Sequence, residues 1–212
     1  MQANLKVVAA GNPDDGDMAN SIPDDVRSLL IVLLLVIYAI WLLAGMVDYL
    51  CHRWTDIGGT SGSTESWLHV AQFAALGVAL LLATLLAITP LAFVLILTAV
   101  VGHSVLSYID VSYTQPRRHI SPLEQHTHGF LDVLPLIAAC LVAVVNWHEV
   151  SRGSWTVHWR DPPLRMGPSV LLLGSFLLLA GVPIFEELWR TLRWPRSPTS
   201  EGSSAPSPGT RR

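Results

Sequence analysis

Five apolar runs, parted by short polar stretches, leave this chain few ways to fold. They cover residues 29–50, 66–88, 91–113, 129–146 and 168–185. Each falls within the range of about 17–25 residues that a helix needs to cross a hydrocarbon layer of about 30 Å. Inside lipid the backbone has no outside partner for its N–H and C=O groups, and continuous apolar runs without alternation satisfy them as helices. The break at Thr89-Pro90 is so short that the runs flanking it must be antiparallel neighbours. The expectation is an all-α integral membrane bundle of about five transmembrane helices, occupying residues 26–194.

The remaining composition agrees with a bilayer as the main partner. Hydrophobic residues make up 51% of the chain and charged residues 14%, against about 25% charged in soluble domains. A net charge of −3 gives no basic surface for nucleic acid. Cys51 and Cys140 are too far apart to suggest a disulfide framework or a Cys-x-x-Cys zinc pattern, and read as small buried hydrophobes. Residues 1–25 are acidic and aperiodic, and 195–212 are rich in Ser and Pro, so both are expected to be disordered tails. The acidic lead-in also argues against a signal peptide. Apart from Trp41, the tryptophans fall at or beyond the ends of the runs, as an interfacial belt would. With five spans, eight Lys/Arg residues share a side with the C-terminus and five share the other. That bias predicts a bacterial-type plasma membrane protein with its N-terminus outside and its C-terminus in the cytoplasm.

Against this apolar background the ionisable residues stand out by position. Three spans carry an acid followed four residues later by a histidine: Asp48-x-x-x-His52, Glu65-x-x-x-His69 and Glu124-x-x-x-His128. Spacing of i, i+4 puts both side chains of each unit on one helix face. His103 and Asp110 lie two turns apart on the third span, and Asp132 continues the stripe of the fourth. Spans one and three end on the side where spans two and four begin, so the whole set gathers near one membrane face. Ionisable groups in that setting cost several kcal/mol each unless paired, wetted or bound to metal. Four helices that each present His and carboxylate can surround two cations, much as Glu and Glu-x-x-His ligands do in soluble di-iron bundles. The expected ligands are Asp48, His52, Glu65, His69, His103, Asp110, Glu124, His128 and Asp132. Arg53, Arg118 and His126 are expected to support them from outside.

Some of these residues have a second reading. Ser121-Pro122-Leu123-Glu124 spells a capping box, in which Glu124 serves the backbone instead of a cation. Asp48 and Asp110 sit near helix C-termini, where the dipole disfavours an acid, so each needs a partner: a metal or an arginine. Asp132 could hold a histidine in place. Glu186-Glu187-Leu188-Trp189-Arg190 resembles the glutamate-pair-and-arginine element of CAAX-type membrane proteases, with the arginine one residue closer. Its charges read as residents of the membrane interface.

The layout is similar to that of the membrane fatty-acid desaturases and hydroxylases, which are small multi-span proteins with a histidine-rich di-iron site on the cytoplasmic face. Their His-x-x-x-His and His-x-x-His-His motifs are absent, and acids stand where that family uses histidine. The resemblance is one of architecture, and no residue role transfers with it. Mixed imidazole and carboxylate ligands point instead to an oxidoreductase with two metal ions, iron first and zinc or manganese as alternatives. A site at the membrane face suits a lipid-like or amphiphilic substrate, with an electron donor as partner. A zinc-dependent membrane hydrolase is the alternative enzyme, and a metal-ion carrier or sensor the alternative outside catalysis. The almost purely apolar stretch at 78–94 speaks against a polar path across the membrane.

Overall fold

A computed structural model describes residues 22–194; the expected tails at 1–21 and 195–212 lie outside them. Its elements are α1 (Asp24–Trp54), a 3-10 turn (Ile57–Gly59), α2 (Ser63–Leu85), α3 (Pro90–Thr114), α4 (Pro122–Val145) and the short α5 (Trp147–Arg152). They are followed by α6 (Met166–Phe176), a π-helical turn (Leu177–Gly181) and α7 (Val182–Leu192). Five stretches are long and apolar enough to cross a membrane: α1 to α4, and Met166–Leu192 as one span. Among the described residues there is no strand, only a single bridge between Leu86 and Trp159. The protein is an all-α bundle of the membrane type.

Three boundaries differ from the sequence expectation. Helix α1 begins at Asp24, inside the expected tail, because Pro23 precedes it and Asp24 and Asp25 complement the dipole of its first turn. The expected loop after span four begins with α5. The fifth span runs on past residue 185 to Leu192, taking in Glu186 and Glu187.

Local chemistry sets the turns. Thr89 Oγ1 accepts from the Ala92 amide (3.2 Å) and Pro90 fills the first position of α3. The same hydroxyl donates to the Thr156 carbonyl (2.7 Å). Nearby, Arg160 donates from Nη2 to the Ala83 carbonyl (3.0 Å) and from its amide to Leu85 (2.9 Å), closing the C-terminal end of α2 with a cation. Burial and the like charge of Arg27 push the Arg160 guanidinium below its ordinary range.

Helix α2 packs on α3 and α7, and α1 on α4 and the π turn. The apolar core lies between them, around Leu76, Ala79, Ile96, Val100, Ala139 and Phe176. Phe176 is stacked between Phe73 (centroids 4.5 Å apart) and Trp41 (5.9 Å). Outward, Leu29, Leu43, Val133, Val170 and Leu171 are exposed around the circumference, a surface suited to lipid.

Candidate metal centre

The antiparallel pairing of α1 and α4 decides how the acid-to-histidine units meet. In α1 the acid, Asp48, lies deeper than His52; in α4 the histidine, His128, lies deeper than Glu124. Residues at equal depth therefore belong to opposite units and opposite charge types. Asp48 Oδ1 sits 3.0 Å from His128 Nε2, and Glu124 Oε1 sits 3.2 Å from His52 Nε2. Within its own unit Asp48 approaches His52 less closely, at 3.8 Å. The units exchange partners across the bundle instead of pairing internally.

Helix α2 adds Glu65 and His69. His69 Nε2 meets Asp110 Oδ2 of α3 at 3.0 Å, and Gln72 Nε2 donates to the same oxygen (3.3 Å). Asp48 and Asp110 thus find histidine rather than arginine partners near their helix C-termini. Glu65 and Glu124 share the buried Arg118, which donates from Nε (3.3 Å) and Nη2 (2.5 Å) to Glu65 and from Nη1 (3.0 Å) and Nη2 to Glu124. Burial alone would push this guanidinium down; its hydrogen bonds to Glu124 and Glu65 outweigh burial and hold it charged, above its ordinary range. Ser61 Oγ donates to Glu65 Oε2, the oxygen that also accepts from Arg118 Nε. The capping box is half formed: Ser121 Oγ accepts from the Glu124 amide (3.2 Å), while the Glu124 carboxylate turns inward to Arg118 and His52.

One central residue escaped the sequence reading. Glu187, expected at the membrane interface, is buried and accepts from two histidines at once: His52 Nδ1 to Oε2 (3.0 Å) and His69 Nδ1 to Oε1 (2.8 Å). The two rings stack at 4.6 Å with planes 5° apart. A carboxylate that accepts from both Nδ1 atoms orients both rings; His52 Nε2 is left as an electron-pair donor, while His69 Nε2 is engaged by Asp110 Oδ2 (3.0 Å). The π turn at Leu177–Gly181 shifts the register of the fifth span just before Glu187. Gly181 lets that span close on α2, since a Cβ there would lie 3.1 Å from Phe73 Cζ. Thr191, one turn on, donates to Ser66 Oγ of α2 (3.1 Å).

Two sets of side chains bring their ligand atoms within 4.8 Å of one another: Asp48, His52, Glu124 and His128; and His52, Glu65 and His69. His52 belongs to both. Its Nε2 is buried and forms no hydrogen bond, yet lies 3.2 Å from Glu124, 3.7 Å from Glu65 and 3.8 Å from Asp48. Asp110 Oδ1 and His128 Nδ1 are likewise buried without hydrogen-bond partners. The cluster gathers five buried carboxylates, Asp48, Glu65, Asp110, Glu124 and Glu187, around one guanidinium. With neutral imidazoles the excess is four negative charges.

The other expected residues lie apart from these sets. His103, about 10 Å below Asp110 along α3, has Nδ1 3.3 Å from the Gln72 carbonyl and Nε2 3.2 Å from the Leu131 carbonyl, and so ties α2, α3 and α4 together. Asp132 holds one buried, unpartnered oxygen a turn below His128. Of the three expected supporting residues, Arg118 is inside the cluster. Arg53 is exposed and donates to Tyr49 (3.0 Å) and Glu186 (3.1 Å), and His126 is exposed with its ring edge on Phe130 (5.8 Å).

No protein-family model, curated protein or solved structure matches this chain. Its class is therefore defined by its own geometry: a membrane-type helical bundle whose buried His/carboxylate clusters are compatible with a metal site.

Proposed function

We propose that the cluster is a dinuclear metal centre, iron being the metal and zinc or manganese the alternatives, in a membrane oxidoreductase of the hydroxylase or desaturase type. The observation that carries this reading is His52 Nε2, buried, outside any hydrogen bond, and within 3.2–3.8 Å of carboxylate oxygens from α1, α2 and α4. A histidine whose other nitrogen is held by a carboxylate is the arrangement metal-ligating histidines adopt. His69, held by the same Glu187, stacks on His52 at 4.6 Å and carries Asp110 on its Nε2 (3.0 Å), a second imidazole–carboxylate pair beside the first. Mixed imidazole and carboxylate donors suit non-haem iron.

The chemistry supplied by bound iron would be the reduction of dioxygen, with electrons from a separate donor protein or quinol. Inserting one oxygen atom into a C–H bond consumes two electrons and two protons, and the second oxygen leaves as water. The chain's own residues set the conditions. Glu187 orients the histidines, Arg118 holds Glu65 and Glu124 in register, and the apolar wall beneath the cluster keeps bulk water out. The substrate is a lipid-like amphiphile entering from the bilayer. The Lys/Arg bias of eight against five supports a cluster at the cytoplasmic face of a bacterial-type plasma membrane, with the N-terminus outside.

Elemental analysis and Mössbauer spectroscopy of protein grown in isotopically enriched iron test the proposal. The expected result is two iron atoms per chain with a coupled di-iron spectrum, lost in His52→Ala. Protein that stays folded and binds no metal would overturn it. One zinc per chain with no iron would replace the oxidoreductase by a hydrolase.

A further inference from the structure

Beneath the cluster lies a cavity of about 70 Å³, lined by Asp48, His52, His69 and Glu187 on its polar side. Trp41 and Leu76 close its apolar side, and the same two residues also line a second cavity of about 300 Å³ deeper in the bundle. The larger cavity exists because α1 leans on α4 and the fifth span and leaves a gap toward α2. It follows α1 from Ile31 to Trp41, a length of about 15 Å. Ala79 and Ala139 contribute small side chains to its wall.

Its polar groups are almost all spoken for. The Tyr38 hydroxyl donates to the Leu172 carbonyl (2.8 Å) and lies 2.9 Å from Ser175 Oγ, and Thr84 donates to the Leu80 carbonyl (2.9 Å). A wall that offers no free polar partner selects hydrocarbon. The exception is at the junction with the smaller cavity, where the Trp41 indole N–H is buried without an acceptor. Buried indole N–H groups normally find one.

We propose that the larger cavity holds the single hydrocarbon tail of an amphiphile, whose oxygen-bearing end accepts from Trp41 Nε1 and sets the carbons nearest that end against the His/carboxylate cluster. The assignment of this amphiphile as substrate rests on the metal-centre reading; the tail pocket itself does not. An unbranched fatty acid and an isoprenoid alcohol share the required chemistry, a tail with an acceptor oxygen at one end.

The test uses the full chain in nanodiscs, with a mid-chain diazirine fatty acid and a diazirine farnesol analogue as separate probes. Cross-linked peptides are mapped by mass spectrometry, and metal content is measured on the same samples. Labelling is expected on the inward cavity residues Leu34, Ile37, Tyr38 and Ala139, competed by the unlabelled parent of one probe, which names the tail type. Ala139→Phe, with the milder Ala79→Leu as a second cavity-filling variant, should abolish this labelling while metal content stays at the wild-type level. Trp41→Phe keeps the aromatic stack and should weaken competition by the oxygen-bearing parent about threefold to tenfold, the worth of one hydrogen bond, without changing competition by an alkane of equal length. Labelling confined to outward residues such as Leu43 and Val133, or unaltered in both filled variants, overturns the proposal. Inward labelling of a chain that binds no metal leaves the tail pocket standing and removes the metal-centre reading instead.

Discussion

Helix α1 meets its neighbours in two places, and the contacts there have opposite chemistry. Toward its C-terminus it is held by Asp48 against His128 and by His52 against Glu124 and Glu187. Two to three turns deeper it is held by Trp41 against Phe176, in the stack that continues to Phe73. In lipid, apolar packing gains little from leaving the solvent, because acyl chains are as apolar as leucine. The aromatic end therefore depends on shape and dispersion. The ionic end is different in kind: each charge is tolerable only while its partners stay, so its parts stand or fall together. A bundle needs only the first kind of contact to fold, and the second is compatible with a site that holds metal.

The largest effect expected from breaking this contrast is at Arg118. Arg118→Met leaves Glu65 and Glu124 buried side by side with no fixed cation. Removing one partner of a buried pair costs about 3–5 kcal/mol. A melting experiment in detergent on metal-stripped protein should show this loss, and added divalent cation should restore part of it. Full recovery is not expected, because the guanidinium also fixes carboxylate geometry. A variant as stable as wild type would mean that the two glutamates carry no charge in the fold.

Next comes Glu187→Gln. The amide keeps the shape but can accept from only one of the two imidazoles, so one histidine is free to turn. Substitutions of groups that orient metal ligands weaken metal binding about 10–100-fold. A competitive chelator titration should read that change while helix content stays as in wild type. Affinity equal to wild type would remove Glu187 from the site's machinery.

How far the sequence could anticipate all this follows from the kind of signal each residue leaves. The bundle was readable because lipid allows so few backbone solutions. Asp48, His52, Glu65, His69, Glu124 and His128 were readable because i, i+4 spacing repeats and the topology brings the units to one face. The crosswise exchange of partners was not, since it depends on relative depth in helices whose ends are set by caps and turns. His103 was expected among the ligands; its ring nitrogens lie against the Gln72 and Leu131 carbonyls, and no pattern of side chains announces those. Glu187 was hidden by its neighbours. Its one legible trace is that Pro183, Glu187 and Thr191 share a face at i, i+4 spacing, and all three are buried.

At the aromatic end, Phe176→Leu removes two stacked contacts. Aromatic pairs contribute about 0.5–1.5 kcal/mol each, so the loss should be about 1–3 kcal/mol, with metal content and chelator affinity unchanged. A fall in metal content here would mean that the two ends are coupled, through the π turn that leads from Phe176 to Glu187.

The smallest expected effect gives the sharpest contrast, because it concerns the residue next to Glu187. Glu186 lies about 100° away around α7, where it accepts from Tyr49 (2.8 Å) and from the exposed Arg53 (3.1 Å) and pairs with Arg190 (3.5 Å). Its carboxylate is partly open to solvent, and such surface pairs contribute little to stability. Glu186→Gln keeps an acceptor for Tyr49 and should leave chelator affinity, metal content and melting midpoint at wild-type values. Equal losses in Glu186→Gln and Glu187→Gln would mean that the whole acidic end of α7 acts through bulk charge. A loss confined to Glu187→Gln would tie function to the face that α7 turns toward His52 and His69, and so to geometry.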